Sequence, residues 1–266
     1  MTTALLQRVR PSAMFAAAKS AADTIRINSI SREVCDAGVV WVKRRKPGSG
    51  RIIRCANIFF RLAENPVRVW RRLDAWQRSE IDCFQLLNGD RFRATAEGPR
   101  AVRLANIPGA SLCDLLTRER LTPAMLEAAA RELARAHALR CEWLGGPWSH
   151  GDSRLANFIY NADENRARLI DFEVAHCDSL SADDRHADDL LVFLQDLMGR
   201  LPDDRWLPDA LRFVNAYGRR EVIAALKMRL TVPVFGFPRL WWSIRTRHMP
   251  RAELVHRAEL LRGSLP

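Results

Sequence analysis

The sequence predicts a mixed α+β protein in two parts, a strand-rich segment over residues 1–107 with one long helix embedded in it, and a helix-rich segment over residues 108–266. Three observations carry this expectation. β-Branched and aromatic runs concentrate before the seam, helical periodicity dominates after Thr122, and Ile107-Pro108-Gly109 breaks the chain between them. At 266 residues the chain is long enough for two lobes around a cleft.

The elements follow in order. Thr24 to Val34 alternates loosely through Ile25, Ile27 and Ile30, and Val39 to Val42 is β-branched and aromatic, so strands flank a turn at Asp36-Ala37-Gly38. A basic loop, Lys43 to Arg54, contains Pro47-Gly48-Ser49-Gly50. Helical spacing then begins after Asn65-Pro66, runs through Val69, Leu73, Trp76, Ile81, Phe84 and Leu87, and stops at Asn88-Gly89. A strand region covers Phe92 to Leu104, and a short helix covers Ser111 to Leu116. Thr122-Pro123 starts a strong helix through His137. Short segments occupy Trp148 to Asp152, Asn157 to Tyr160 and Arg168 to Phe172, and beyond Asp178 the chain reads as helical with breaks at Pro202, Pro208, Pro233 and Pro238.

Composition narrows the class of partner. Hydrophobic residues make up 48% and charged residues 27%, ordinary for a folded chain. The net charge of +11 favours an anionic partner: a phosphorylated small molecule, an anionic membrane surface or nucleic acid, the last resting on charge alone. The six cysteines form no C-x-x-C pair, which argues against a zinc site or disulfide framework and for a reducing, cytoplasmic location. Met1 to Ala22 lacks the compact apolar core of a signal peptide, and no stretch approaches the ~20 apolar residues of a membrane span.

The chemically informative stretch is His150-Gly151-Asp152-Ser153-Arg154-Leu155-Ala156-Asn157, followed by Leu169-Ile170-Asp171-Phe172-Glu173. Its residue types suit phosphoryl transfer, which needs charge neutralisation and alignment more than covalent help. One carboxylate must take or orient the proton of the acceptor hydroxyl, a role for Asp152. A second carboxylate and an amide oxygen must hold Mg²⁺, a hard ion that prefers oxygen, roles for Asp171 and Asn157. The bland alternative is a set of loop-capping Asp and Asn residues.

This H-G-D-x-x-x-x-N and I-D-F-E pair resembles the protein-kinase-like phosphotransferases: aminoglycoside and choline kinases, lipopolysaccharide core sugar kinases and small atypical protein kinases. The resemblance spans roughly Thr24 to Arg200. It implies a two-lobed protein-kinase-like α+β fold, with a small β-rich N-lobe, a helical C-lobe, and ATP with Mg²⁺ between them. It assigns ATP contacts to Lys43 in Val40-Trp41-Val42-Lys43, an ion-pair partner to Glu80, and an inter-lobe hinge to Asn106 and Ile107. It also gives bracing of the catalytic loop to Arg185-His186-Ala187-Asp188-Asp189-Leu190, with Asp188 as the bracing carboxylate. No G-x-G-x-x-G precedes Lys43, and Arg44, Arg45 and Lys46 crowd it, so the bland alternative is that Lys43 is one of four solvated basic residues.

The remaining residues read structurally. His150 braces the loop, His137 packs on its helix, Trp241 and Trp242 belong to the core, and His176, Asp183, Asp184 and His186 form a solvated polar loop. Basic residues beside aromatics, Lys43 to Arg72 and Arg239 to Arg247, suit either a solvated face or peripheral contact with an anionic membrane surface. The expected activity is transfer of the γ-phosphate of ATP to a hydroxyl of a sugar or small molecule, with a lipopolysaccharide core glycolipid as the specific acceptor. The alternatives are a small atypical Ser/Thr protein kinase and a pseudokinase scaffold.

Overall fold

A computed structural model describes residues 27–35 and 38–266. The expectations for Met1 to Ala22, for Thr24 and Ile25 and for the turn residues Asp36 and Ala37 lie outside them. The fold is mixed α+β, with a small antiparallel sheet in the N-terminal part and a helical C-terminal part. The sheet has the order β1 (Asn28–Cys35), β2 (Gly38–Arg45), β5 (Ala101–Ala105), β4 (Ala94–Ala96). Strand β2 is central, and Val42, Lys43 and Arg45 are buried on it.

Helix α1 (Ser49–Leu62) occupies what reads as a basic loop. Ile52, Ile53, Ala56, Phe59 and Phe60 keep helical spacing there, but Pro47, Gly48 and Gly50 look like loop chemistry, and only Ser49 and Ile53 are fully buried. Gly48 serves as its left-handed N-cap, at φ 77°. The helix expected from Asn65-Pro66 begins later. Val67 and Val69 are buried on β3 (Val67–Val69), which pairs with β11 (Val174–His176), and α2 runs over Leu73–Asn88. A two-residue alternation has displaced a helical reading there.

The expected strand over Phe92 to Leu104 is interrupted by a 3₁₀ turn at Gly98–Arg100, whose carbonyl at Gly98 accepts from Gln77 Nε2 of α2. Short strand β6 (Ala110–Ser111) then joins β9 (Phe158–Asn161) and β10 (Arg166–Leu169) in a second antiparallel sheet. Gly109 makes that crossing, at φ 128°. A Cβ there would lie 2.1 Å from the Tyr160 carbonyl oxygen, so only glycine fits.

Helices α3 (Leu112–Thr117) and α4 (Pro123–His137) start as their sequences propose, with Ser111 Oγ accepting from Asp114 N and Pro123 in the first turn. The short β7 (Arg140–Cys141) and β8 (Gly146–Pro147) pair with each other, and Trp148 N then donates to the Leu139 carbonyl just ahead of the His150-Gly151-Asp152 segment. Helix α5 (Ala182–Met198) is buried at every residue from His186 to Met198, which makes it the axis of the helical part. Helices α6 (Asp203–Tyr217), α7 (Arg220–Arg229), α8 (Gly236–Arg245) and α9 (Arg251–Ser264) complete the order.

Two of the four expected proline breaks are absent. Pro208 lies inside α6 and forfeits only the bond its N–H would give to the Asp204 carbonyl, while Trp206, Ala210, Phe213 and Val214 bury the helix face. Pro238 falls in the first turn of α8, where N–H groups have no intrahelical partner.

Phe213 and Phe193 stack at 3.8 Å between ring centroids, both fully buried between α6 and α5. Phe213→Ala should lower the unfolding free energy by about 3–5 kcal/mol, read from urea denaturation; a loss of under about 1 kcal/mol would contradict this packing.

Candidate active site

Lys43 points inward from the buried face of β2. Its Nζ donates to Glu80 of α2 and to Asp171, and lies 3.5 Å from Glu173 Oε2. Burial alone would push the ammonium pKa down. Asp171, Glu80 and Glu173 outweigh burial and raise it, so Lys43 stays charged. Burial raises Glu173 to about 7, with Asp171 and Glu80 adding to the push against Lys43 and Arg45. Asp171 shifts the other way. Burial would raise it, but Lys43, Arg154 and His150 hold it below the usual carboxylate range.

Helix α2 fixes the strand end that carries Asp171. Asn88 Nδ2 donates to the Leu169 carbonyl at 3.0 Å, Ser79 Oγ donates to the Phe172 carbonyl at 3.0 Å, and Phe172 N donates to Glu80 Oε2 at 3.3 Å. Asp171 itself adopts φ 72°, a left-handed conformation unusual for a residue with a side chain. Beside Lys43 on the same strand, Arg45 is buried, donates to the Trp70 carbonyl and lies 4.5 Å over the Trp76 ring.

The loop bearing Asp152 is held from beneath by Asp189 of α5. Asp189 accepts from His150 N and from Gly151 N, each at 2.7 Å, and His137 Nε2 lies 3.0 Å from its Oδ2. Asp189, and not the neighbouring Asp188, is thus the bracing carboxylate. Successive helical residues point about 100° apart, so the choice between them depends on how α5 is rotated. Asp188 instead contacts His176 Nε2 at 3.2 Å and Arg229 at 3.8 Å.

The His176, Asp183, Asp184 and His186 group is likewise not a solvated loop. His176 and His186 are buried, Nε2 of His186 bonds the Trp148 carbonyl, and Asp184 accepts from Ser181 and Arg229. His150 and His137 have the structural roles expected. His150 Nε2 donates to the Ile170 carbonyl, and His137 Nδ1 lies 2.8 Å from the Tyr217 hydroxyl.

Gly151 stands where φ is 82° and where a Cβ would meet Val174 Cγ2 at 3.0 Å and Val67 Cγ1 at 3.2 Å. The β3–β11 pair therefore demands the glycine of H-G-D. Asp152 is gripped by its neighbours. Asn157 Nδ2 donates to its carbonyl at 2.7 Å and to Oδ2 at 3.2 Å, and Arg154 Nε donates to Oδ2 at 3.0 Å. Ile170 N donates to the Asn157 carbonyl, which sets Asn157 beside the residue preceding Asp171.

Sequence reasoning missed Arg245 of α8, whose Nη1 lies 3.6 Å from Asp152 Oδ1. No local motif marks it, because only the fold brings α8 to the catalytic loop. At the hinge, Asn106 N donates to the Val39 carbonyl, its Oδ1 accepts from Trp41 Nε1, and Ile107 is buried.

Oxygen atoms of Glu80, Asp171 and Glu173 all lie within 4.8 Å of one another, a donor set suited to a hard divalent cation. The amide nitrogen of Asn157 is committed to Asp152, which leaves its oxygen for a cation.

No family model and no curated protein matches the chain. Similar solved structures include a Mycobacterium tuberculosis protein in complex with erythromycin, at 20% identity over 90% of this chain and 70% of that one, TM-score 0.39. Plasmodium vivax ethanolamine kinase matches at 10% identity over 97% and 90%, TM-score 0.43. The bifunctional kinase-methyltransferase WbdD matches at 19% identity over 85% of this chain and 44% of that one, TM-score 0.40. What the cleft can do follows from its own side chains.

His137 and His186 stack at 3.9 Å beneath the loop. Burial lowers both pKa values, His186 to about 3 with His137 adding to the shift. The unfolded chain takes up protons below its ordinary 6.5 that the folded chain refuses, so stability rises with pH through this window. In unfolding free energy measured between about pH 4.5 and 6.5, His186→Gln should flatten that slope by up to about 1.4 kcal/mol per pH unit. An unchanged slope would contradict a neutral buried imidazole.

Proposed function

We propose that the protein is an ATP- and Mg²⁺-dependent phosphotransferase that moves the γ-phosphate to a hydroxyl of a sugar or similar small molecule. One observation carries this reading. Lys43, Glu80 and Asp171, far apart in sequence, converge on one buried ammonium, with Asp152 and Asn157 hydrogen-bonded to each other on the adjoining loop. That is a set of groups for gripping phosphate, holding a cation and receiving a proton, and phosphoryl transfer asks for those three things.

In this reading Lys43, oriented by Glu80, holds the α/β-phosphates, and the backbone at Asn106 and Ile107 meets the adenine. Asp171 and Asn157 hold Mg²⁺, which supplies charge neutralisation on the transferring phosphate when bound. Asp152 accepts the proton of the acceptor hydroxyl, and Arg154 keeps its carboxylate aimed into the cleft. The Arg154 guanidinium is held firmly charged by Asp152 against the opposing effect of burial.

The specific acceptor we propose is a sugar of the lipopolysaccharide core, approached at the inner face of the cell membrane from the cytoplasm. Support comes from a basic and apolar surface. Ile52, Ile58 and Leu62 are exposed on α1 among Arg51, Arg54 and Arg61, and Phe235 and Phe237 are exposed at the start of α8. Among the described residues no helix is long and apolar enough to cross a membrane, so this contact is peripheral.

The test is transfer from γ-labelled ATP with Mg²⁺ into a bacterial envelope extract, separated into lipid, sugar and protein fractions. Label should enter glycolipid, and Asp152→Asn should lower the rate about 10²–10⁴-fold while ATP binding persists. Label in protein would replace the acceptor class. Undiminished transfer by Asp152→Asn would remove that residue from its role.

A further inference from the structure

Beside Asp152 lies a cavity of about 350 Å³ lined by Arg154, Arg200, Arg245 and Arg247 together with the acidic residues Asp152, Glu173 and Asp196. Two of the arginines are committed to carboxylates. Arg154 pairs with Asp152 at 3.0 Å, and Arg200 pairs with Asp196 at 2.5 Å. Arg245 shares Asp152 with Arg154 at the longer distance of 3.6 Å, and Arg247 has no carboxylate partner among the described residues.

Arg245 is only 9% exposed at its side chain, and its Nη1 is buried with no hydrogen-bond acceptor, Asp152 being too distant at 3.6 Å. It is held flat over the Trp241 ring at 4.6 Å. A buried guanidinium short of acceptors is destabilising, and the two oxygens of a carboxylate or phosphate are what its fork satisfies best. Arg247 sits exposed at the cavity rim and makes no ion pair among the described residues.

The turn that presents Arg247 is tightly built. Arg247 and His248 both adopt left-handed backbone, at φ 57° and 62°. The chain at Thr246 passes so close to Gly199 that a Cβ there would meet it at 2.7 Å. His248 N donates back to the Ser243 carbonyl at 2.6 Å. Next to Arg245, Phe60 and Trp241 meet edge-on at 5.1 Å and give the cavity an aromatic part of its lining.

We propose that this cavity is the acceptor subsite and that the acceptor carries an anionic group of its own, a phosphate or carboxylate. Arg245 and Arg247 hold the anion, the body of the molecule lies against Phe60 and Trp241, and its free hydroxyl faces Asp152. The assignment of the hydroxyl rests on the phosphotransferase reading, whereas the anion site stands on the cavity alone. A cationic amino alcohol is repelled by the same two guanidinium groups.

Calorimetric titration tests this with glycerol 3-phosphate, glycerol and ethanolamine as probes, on wild type, Arg245→Gln and Arg247→Gln, with phosphate transfer from Mg²⁺-ATP measured in parallel. Glycerol 3-phosphate should bind in preference to both other probes. Each substitution should weaken it about tenfold or more, the worth of a charge-assisted hydrogen bond. Arg247 is exposed, so its variant remains informative if Arg245→Gln folds poorly. No preference for the anionic probe, or affinity retained in the folded variants, would overturn the subsite. Anion binding that depends on both arginines without any transfer would uphold the subsite while counting against the phosphotransferase reading.

Discussion

One buried ammonium organises the cleft. Lys43 reaches from the central strand β2 to Glu80 on α2 and to Asp171 and Glu173 beyond β10, so three parts of the chain share its charge. An isolated lysine or carboxylate in that place would be neutralised or excluded. Together they remain, because each supplies what the others lose by leaving water. Removing Lys43 leaves three carboxylates facing one another. The geometry of Asp171 therefore depends on a strand and a helix from the other end of the chain.

The loop bearing Asp152 is fixed by a second buried charge. Asp189 takes two backbone N–H groups and His137, on a helix that is buried from His186 onward. A carboxylate accepting from several donors has its charge compensated without a salt bridge, and Asp189 is accordingly held well below the usual carboxylate range: burial opposes this, and His176, His137 and His150 override it. Between these anchors Asp152 has freedom only of its side chain, which faces Arg154 and Arg245. Asp152 thus lies among positive groups.

Much of this was legible in the sequence where local rules suffice. Ser111 marks a helix start by capping and Pro123 marks another by its place in the first turn, and the I-D-F run reads as a strand end carrying a carboxylate. The order of Lys43, Glu80, Asp152, Asn157 and Asp171 was readable, and the structure brings Lys43, Glu80 and Asp171 into contact at one point and Asp152 and Asn157 at another. What escaped was set by tertiary context. Helix α1 has almost no buried face, β3 takes its strand form from pairing with β11, and Pro208 is tolerated because its helix is buried in the core. The choice of Asp189 over Asp188 and the arrival of Arg245 beside Asp152 depend on how whole helices are rotated and stacked.

The most direct measurement is calorimetric titration of ATP, with and without Mg²⁺, into wild type and Asp171→Asn. The account predicts that Mg²⁺ tightens ATP binding to wild type, and that Asp171→Asn loses this increment while keeping its Mg²⁺-free affinity. ATP binding indifferent to Mg²⁺, or an increment that survives in Asp171→Asn, would contradict the assignment of Lys43 and Asp171 to a metal–nucleotide site.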